Sequence, residues 1–470
     1  MHKPIFLNHI SLYFPNKICF EDFSAQIQPC NRIAIIGNNG YGKSTLLKII
    51  KGDIEPSDGE VTNNKNIVFG YVPQLILKYD DLSGGEKFNK ALSSAFSQHP
   101  DIMILDEPTN HLDLKNRNSL IKMLNFYKGT LIIVSHDTEL LRNSIETLWH
   151  IDNRQIKVFH GKYDDYRNTI LHQLRGIENE LASLAKEKKE THKALMKEQE
   201  RAKKSKQKGE RLVEQKRWLS ALGDLKANYA TRTAGKKSSS ITNRREFLNE
   251  RLSNLRLHEI IKPTFSLTAK DIGSKTLVSI SDGQVGYGDK IILSGITLSV
   301  LGGEPLAIVG DNGSGKTTLM KAILNDPQVI KTGVWDLPDN SDIGYLDQHY
   351  SSLDSSKTVL ETLTDIEPNK THAELRDLLN SFLFKKNEEV NKSVSVLSGG
   401  ERARLALAKI ALQAPKLLLI DEITNNIDLE TKEHVAQVLR EYPGAMIIIS
   451  HDSDFLEEIN ITHYYPLQDS

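Results

Sequence analysis

The chain has 470 residues, 39% hydrophobic and 26% charged, with a net charge of −1. That length suits two or three domains, because single cores seldom grow past roughly 250–300 residues, and the composition excludes a collagen-like or disordered chain. No run approaches the about 20 consecutive apolar residues of a membrane helix, the N-terminal segment has no signal-like apolar stretch, and Cys19 and Cys30 are too few for a disulfide framework or a four-ligand zinc site. A cytoplasmic protein with no membrane-spanning part is expected.

The first element with chemistry is a strand-like run, Arg32–Ile36, that feeds GNNGYGKS and then a helix-like stretch beginning at Thr45. Gly37, Asn38, Asn39, Gly40 and Gly42 let backbone N–H groups close around phosphate oxygens, and the following helix adds its N-terminal dipole. Lys43 is placed to reach the β- and γ-phosphates, and Ser44 to bind Mg²⁺. Gln74 follows, then LSGGE with Ser83, Gly84, Gly85 and Glu86. Next comes an apolar strand ending in Asp106 and Glu107, and another ending in Ser-His-Asp at His136. A buried unpaired carboxylate at a strand end is costly, so Asp106 is expected in a Mg²⁺ shell. Glu107, expected on the opposite pleat face, is placed to orient or deprotonate an attacking water.

Residues 162–262 differ in character. They carry 25 Lys and Arg against 14 Asp and Glu, so the rest of the chain is acidic. Ile170, Leu174, Ile177, Leu181 and Leu184 step as a heptad seam, and Leu248, Leu252 and Leu255 continue it on a returning helix. Gly209, Gly223 and Gly235 are read as breaks. An antiparallel helical hairpin is expected, with legs of about 40 residues and roughly 60 Å. Its distal half is basic and interleaved with rings, and Lys203, Lys204, Lys206, Lys208, Arg211, Trp218 and Tyr229 are candidates for contact with irregular RNA.

The second half repeats the first. Pro305–Val309 leads into GDNGSGKT, with Gly310, Asp311, Asn312, Gly313, Gly315, Lys316 and Thr317, and Thr318 behind them. Gln348, then Ser398, Gly399, Gly400 and Glu401, then Asp421 and Glu422, then His451 complete the series. Signature serine to aspartate is 23 residues in both copies, and aspartate to histidine is 30. Glutamine to signature serine is 9 residues in the first copy and 50 in the second, so the first copy lacks room for a full helical subdomain. Strands alternating with helices imply parallel α/β sheets with ligand at the strand C-termini.

This ordered set resembles ATP-binding-cassette nucleotide-binding domains over about four-fifths of the chain. The first copy's DEPTNHLDL (Asp106–Leu114), two fused cassettes and a charged segment between them resemble the ABC-F family. The resemblance implies a division into a first cassette (residues 1–161), a projecting hairpin linker (162–262) and a second cassette (263–470). It implies ATP and Mg²⁺ as ligands, Phe14 and Tyr287 stacking on adenine, and Gln74 and Gln348 in the Mg²⁺ shells. His136 and His451 are then the histidines that sense the γ-phosphate. The cassettes are expected to meet head to tail within a monomer, the first phosphate loop facing Ser398–Glu401 and the second facing Ser83–Glu86. The implied partner is the ribosome, through ribosomal RNA and tRNA, with the linker tip near the peptidyl-transferase centre. The short first cassette and long linker resemble the antibiotic-resistance branch. A general translation factor of the same family and an ATPase subunit of a separate membrane transporter remain as alternatives. The second copy departs from the motif at Ile423 and Asn426, and the first signature is followed by Phe88 and Asn89 where the second has Ala403 and Arg404.

Overall fold

The computed structural model describes residues 2–14, 17–63, 66–76, 84–110, 112–214, 244, 275–425 and 427–467. Two similar α/β units follow each other along the chain. The first opens with β1 (Ile5–Phe14), β2 (Lys17–Ile27), β3 (Arg32–Gly37), α1 (Lys43–Lys51), β4 (Asp58–Thr62) and β5 (Phe69–Val72). It continues through α2 (Gly84–Ser97), β6 (Ile102–Asp106), α3 (Leu114–Phe126), β7 (Thr130–Val134), α4 (Thr138–Ser144), β8 (Thr147–Asp152) and β9 (Gln155–His160). Its main sheet runs β5-β6-β7-β3-β8-β9, parallel except for β9, and a smaller antiparallel sheet runs β2-β1-β4. Ile102–Leu105 and Leu131–Ile133 are fully buried because both faces of the sheet are covered, one by α1 and the small antiparallel sheet and the other by α2, α3 and α4. That is why these strands are continuous apolar runs and not alternating ones.

The helix α5 (Tyr163–Glu214) leaves this unit and runs for 52 residues. The expected break at Gly209 does not occur, since the helix passes through both Gly176 and Gly209. One glycine costs about 1 kcal/mol in a helix interior, too little to stop a helix of this length. Along the heptad seam Ile170, Ile177 and Leu181 are half-buried and Leu184 is buried, whereas Leu171, His172 and Gln173 are exposed. The side chain of Arg244, in helical backbone, pairs with Glu187 of α5 at 2.6 Å. The rest of the expected returning leg, with Trp218 and Tyr229, lies outside the described residues. Compact grouping of the chain puts Met1–Tyr166 with Ile260–Ser470 and sets Arg167–Glu259 apart.

The second α/β unit begins with β10 (Thr276–Tyr287), β11 (Lys290–Leu301), β12 (Pro305–Val309), α6 (Lys316–Ile323), β13 (Ile330–Asp336) and β14 (Ile343–Leu346). Three helices follow, α7 (Val359–Thr364), α8 (His372–Ser381) and α9 (Asn387–Val390). Then come α10 (Gly399–Gln413), β15 (Leu417–Asp421), α11 (Leu429–Arg440), β16 (Ala445–Ile449), α12 (Ser453–Glu458) and β17 (His463–Pro466). The main sheet is wholly parallel in the order β14-β15-β16-β12-β17. In both units the phosphate loop follows the strand bordered by the one that ends in Ser-His-Asp, so the functional side chains gather at one sheet edge.

Candidate functional site

Each phosphate loop turns into its helix through a glycine at positive φ, Gly42 at 84° and Gly315 at 91°. A side chain there meets Leu12 in the first unit and Leu293 in the second, so backbone strain and packing both require glycine. Lys43 Nζ donates to the carbonyls of Gly37 at 2.6 Å and Asn38 at 3.2 Å, and Lys316 Nζ to those of Gly310 at 2.8 Å and Asp311 at 2.9 Å. Burial pushes both ammonium groups below the usual lysine range.

Asp106 and Asp421 end their central strands as expected. Burial holds both carboxyls above the usual range, opposed by hydrogen bonds from the Ser44 and Thr317 side chains. Asp106 Oδ1 is buried without a hydrogen-bond partner. An orphaned carboxylate oxygen next to a phosphate-loop hydroxyl suits Mg²⁺, which takes one or two carboxylates together with substrate phosphates.

The glutamates are presented differently from the expectation. Glu107 and Glu422 do not follow the pleat, because each takes the left-handed conformation at φ 49°. Their N–H groups donate to the next strand, Glu107 to Val134 at 2.8 Å and Glu422 to Ile449 at 2.9 Å. The strand thus ends in a turn that aims the carboxylate at the following histidine. His136 Nε2 stands 3.3 Å from Glu107, and His451 Nε2 stands 3.4 Å from Glu422. The two pairs differ electrically. Burial pushes the Glu107 carboxyl up to about 8 and the His136 ring down to about 3. At Glu422 the His451 ring outweighs burial and holds the carboxyl below the usual range, with Asn425 donating at 2.8 Å.

Gly84, Gly85, Glu86 and Asn89 of α2 line a cavity of about 570 Å³ together with Asn312, Gly313, Gln348, Glu422 and His451 of the second unit. Asn110, Leu112, Asp113 and Asn116 of the first unit and Asn425 of the second complete its wall. The first signature therefore faces the second phosphate loop. Ser83 lies outside the described residues. Around the first loop the second unit contributes Asp428, whose carboxylate accepts the Asn39 N–H at 3.0 Å, and Glu430, which pairs with the Asn38 amide. Ser398 accepts from the N–H of Glu401 at 3.3 Å and caps α10. The signature of the first unit and the phosphate loop of the second thus line one cavity.

Phe14 and Tyr287 are partly exposed, at 46% and 38%, and neither is a core residue. Lys203 and Lys204 are exposed on α5, and Lys206, Lys208 and Arg211 lie in its backbone. Of the motif departures, Ile423 and Phe88 are buried and pack into cores, while Asn426 is outside the described residues. Sequence reading missed Asp428 and Arg117. Arg117 binds Asp137 at 2.9 Å and donates to the His451 carbonyl at 3.3 Å, joining the first unit to the second unit's histidine turn. The matching position after each Asp-Glu motif was the signal available for Asp428.

Paired α/β units, two phosphate loops and a signature facing the opposite loop are the arrangement of tandem ATP-binding-cassette proteins, to which the chain is similar. The family described as ABC transporter matches residues 20–76 and 293–425. Homologues of the chain are ATP-binding proteins of the ABC-F type. The chain is 29% identical to the putative ATP-binding protein YdiF of Bacillus subtilis, over 96% of this chain and 78% of that protein. It is 28% identical to the ribosome protection protein VmlR of the same organism, over 97% and 86%, and 29% identical to the ATP-binding protein Uup of Buchnera aphidicola, over 91% and 74%. Among solved structures it is similar in fold to the archaeal ribosome recycling factor aABCE1 in complex with stalk protein aP1. There the TM-score is 0.62 at 19% identity, covering 96% of this chain and 86% of that one. No helix among the described residues is long and apolar enough to cross a membrane.

Proposed function

We propose that the protein is an ATP-hydrolysing, ribosome-binding factor whose two cassettes close on ATP and thereby set the linker tip near the peptidyl-transferase centre. The observation that carries this reading is the cavity lined by both the first signature and the second phosphate loop, where a bound nucleotide would touch both units. Lys43 and Lys316 bind the β- and γ-phosphates, and the loop amides hold the remaining oxygens. Ser44, Gln74 and Asp106 at one site and Thr317, Gln348 and Asp421 at the other would hold Mg²⁺, which would supply positive charge against the phosphates. Glu107 and Glu422 orient the attacking water, and His136 and His451 register the γ-phosphate. Phe14 and Tyr287 stack on adenine.

The basic linker gives the ribosomal assignment its second support. Lys203 and Lys204 stand exposed on a 52-residue helix between the cassettes, where contact with ribosomal RNA and tRNA suits their charge. With the segments divided at 161/162 and 262/263 and the linker folded as a hairpin, one chain holds both the ATP-driven clamp and its lever. The likeness to a ribosome protection protein supports antibiotic resistance by ribosome protection as the output.

The test is sedimentation of the Glu107→Gln/Glu422→Gln double variant with ATP, against ribosomes, membrane vesicles and DNA. Co-sedimentation with ribosomes that requires ATP is expected. Pelleting with vesicles instead would move the protein to transport, and ribosome binding indifferent to nucleotide would overturn the clamp.

A further inference from the structure

We propose that Lys17, held over the first phosphate loop by the ring of Tyr41, is an additional nucleotide-phosphate ligand of the first site that the second site does not reproduce. The proposal rests on the ATP-binding reading above and adds a residue that neither motif contains.

Both cassettes end their first hairpin alike. Phe14 pairs with Lys17 in β1 and β2, and Tyr287 pairs with Lys290 in β10 and β11, so each candidate adenine ring has a lysine at the same register. The loops below these hairpins differ at Asn38/Asp311, Ser44/Thr317 and Tyr41/Ser314, and the last of these replaces a ring by a small hydroxyl. Lys17 Nζ lies 4.5 Å from the centroid of the Tyr41 ring. It also lies 3.7 Å from the point where a Cβ on Gly40 would stand, directly above the phosphate loop. The equivalent point on Gly313 has open space around it, so Lys290 is not drawn over the second loop. Ser314 is buried and has no ring face to offer a cation.

Among the described residues no carboxylate forms an ion pair with Lys17. Its charge is felt inside the site all the same, where it opposes the protonated form of Lys43. Two cations beside one loop repel each other until an anion lies between them. A triphosphate supplies several negative charges there, while Phe14 at the same hairpin end takes the base. The ring of Tyr41 reduces the freedom of a long lysine stem, so less order is lost when phosphate binds.

The test uses the full chain carrying Lys316→Ala, which leaves the first site alone to bind, titrated with fluorescent ATP and adenosine analogues. Lys17→Gln should weaken ATP about tenfold, as removal of one nearby charge implies, and flatten the salt dependence of binding. Adenosine affinity should not move. Tyr41→Ser should cost about threefold, the scale of an exposed cation–π contact, and nothing further once Lys17 is Gln. Tyr41→Phe keeps the ring and should bind as the parent does. In the reciprocal Lys43→Ala chain, Lys290→Gln should change ATP affinity by less than about twofold. Equal losses for Lys17→Gln and Lys290→Gln, or an unmoved Lys17→Gln, would overturn the proposal. No ATP binding by the Lys316→Ala chain itself would overturn the nucleotide-binding reading and the proposal with it.

Discussion

Glu107 and Glu422 share a backbone strain, φ 49° in each, but their surroundings make opposite demands on charge. A non-glycine residue in this region costs on the order of 1–3 kcal/mol, and it persists here because the neighbouring strand fixes the peptide N–H. Glu107, raised from 4.5 to about 8 by burial, stays protonated in the nucleotide-free fold when the unfolded chain has ionised. The folded state then binds the extra proton, so stability falls as pH rises from about 4.5 to about 8 and levels off above. Glu422 is held below 4.5, so its contribution is present above that pH and is lost as pH falls through the folded value. Thermal unfolding without nucleotide should therefore find Glu107→Gln more stable than the parent at pH 8, by a margin that shrinks toward pH 5. Glu422→Gln should be less stable than the parent at pH 8. Matching shifts for the two variants would contradict the difference in environment. The identity of both carboxylates was legible from the equal 23- and 30-residue spacings. The left-handed turn was not, because it depends on hydrogen bonds to Val134 and Ile449, strands that follow later in the chain. The bond between Asn39 and Asp428, 389 residues apart, was hidden for the same reason.

Among the elements, α4 and α12 follow His136 and His451 and meet through side-chain contacts. Thr138 donates to Asp454 at 2.6 Å, and Arg142 reaches Asp454 at 3.0 Å and Asp164 at 2.9 Å. Asp164 lies in the first turn of α5, so one guanidinium ties the histidine-bearing segments to the start of the linker helix. The second cassette has Glu457 at the position of Arg142, and the tie is one-sided. Arg142→Met should lower the thermal midpoint of the nucleotide-free chain in about 0.1 M salt, with the loss shrinking in about 1 M salt, where the Debye length falls to about 3 Å. A loss that ignores salt would mean the arginine acts through packing alone. Strand and helix order were readable because apolar runs and phosphate-loop glycines carry local signals. The shortened first cassette was readable too, from the 9- and 50-residue spacings, and α7, α8 and α9 occupy the longer one. The expected stop at Gly209 failed because a single glycine is a weak brake against propagation along a long helix.

For the whole molecule, the central claim is that each ATP site is built from both cassettes, so that closure is intramolecular. Equal spacings in the two halves made two sites legible, but which signature serves which loop is a matter of packing between distant segments. The cavity between Gly84–Glu86 and Asn312–Gly313 supplies that assignment for the second site. Aspartate is a good helix N-cap, so Ser83→Asp and Ser398→Asp can retain a helix start while adding a negative charge where a phosphate must approach. The decisive measurement is ATP affinity of the full chain carrying Lys43→Ala, which leaves the second phosphate loop to bind. There Ser83→Asp should weaken ATP by about tenfold or more through charge repulsion, while Ser398→Asp should change it by less than about twofold. The reverse order, or equal losses, would contradict the head-to-tail pairing on which the account stands.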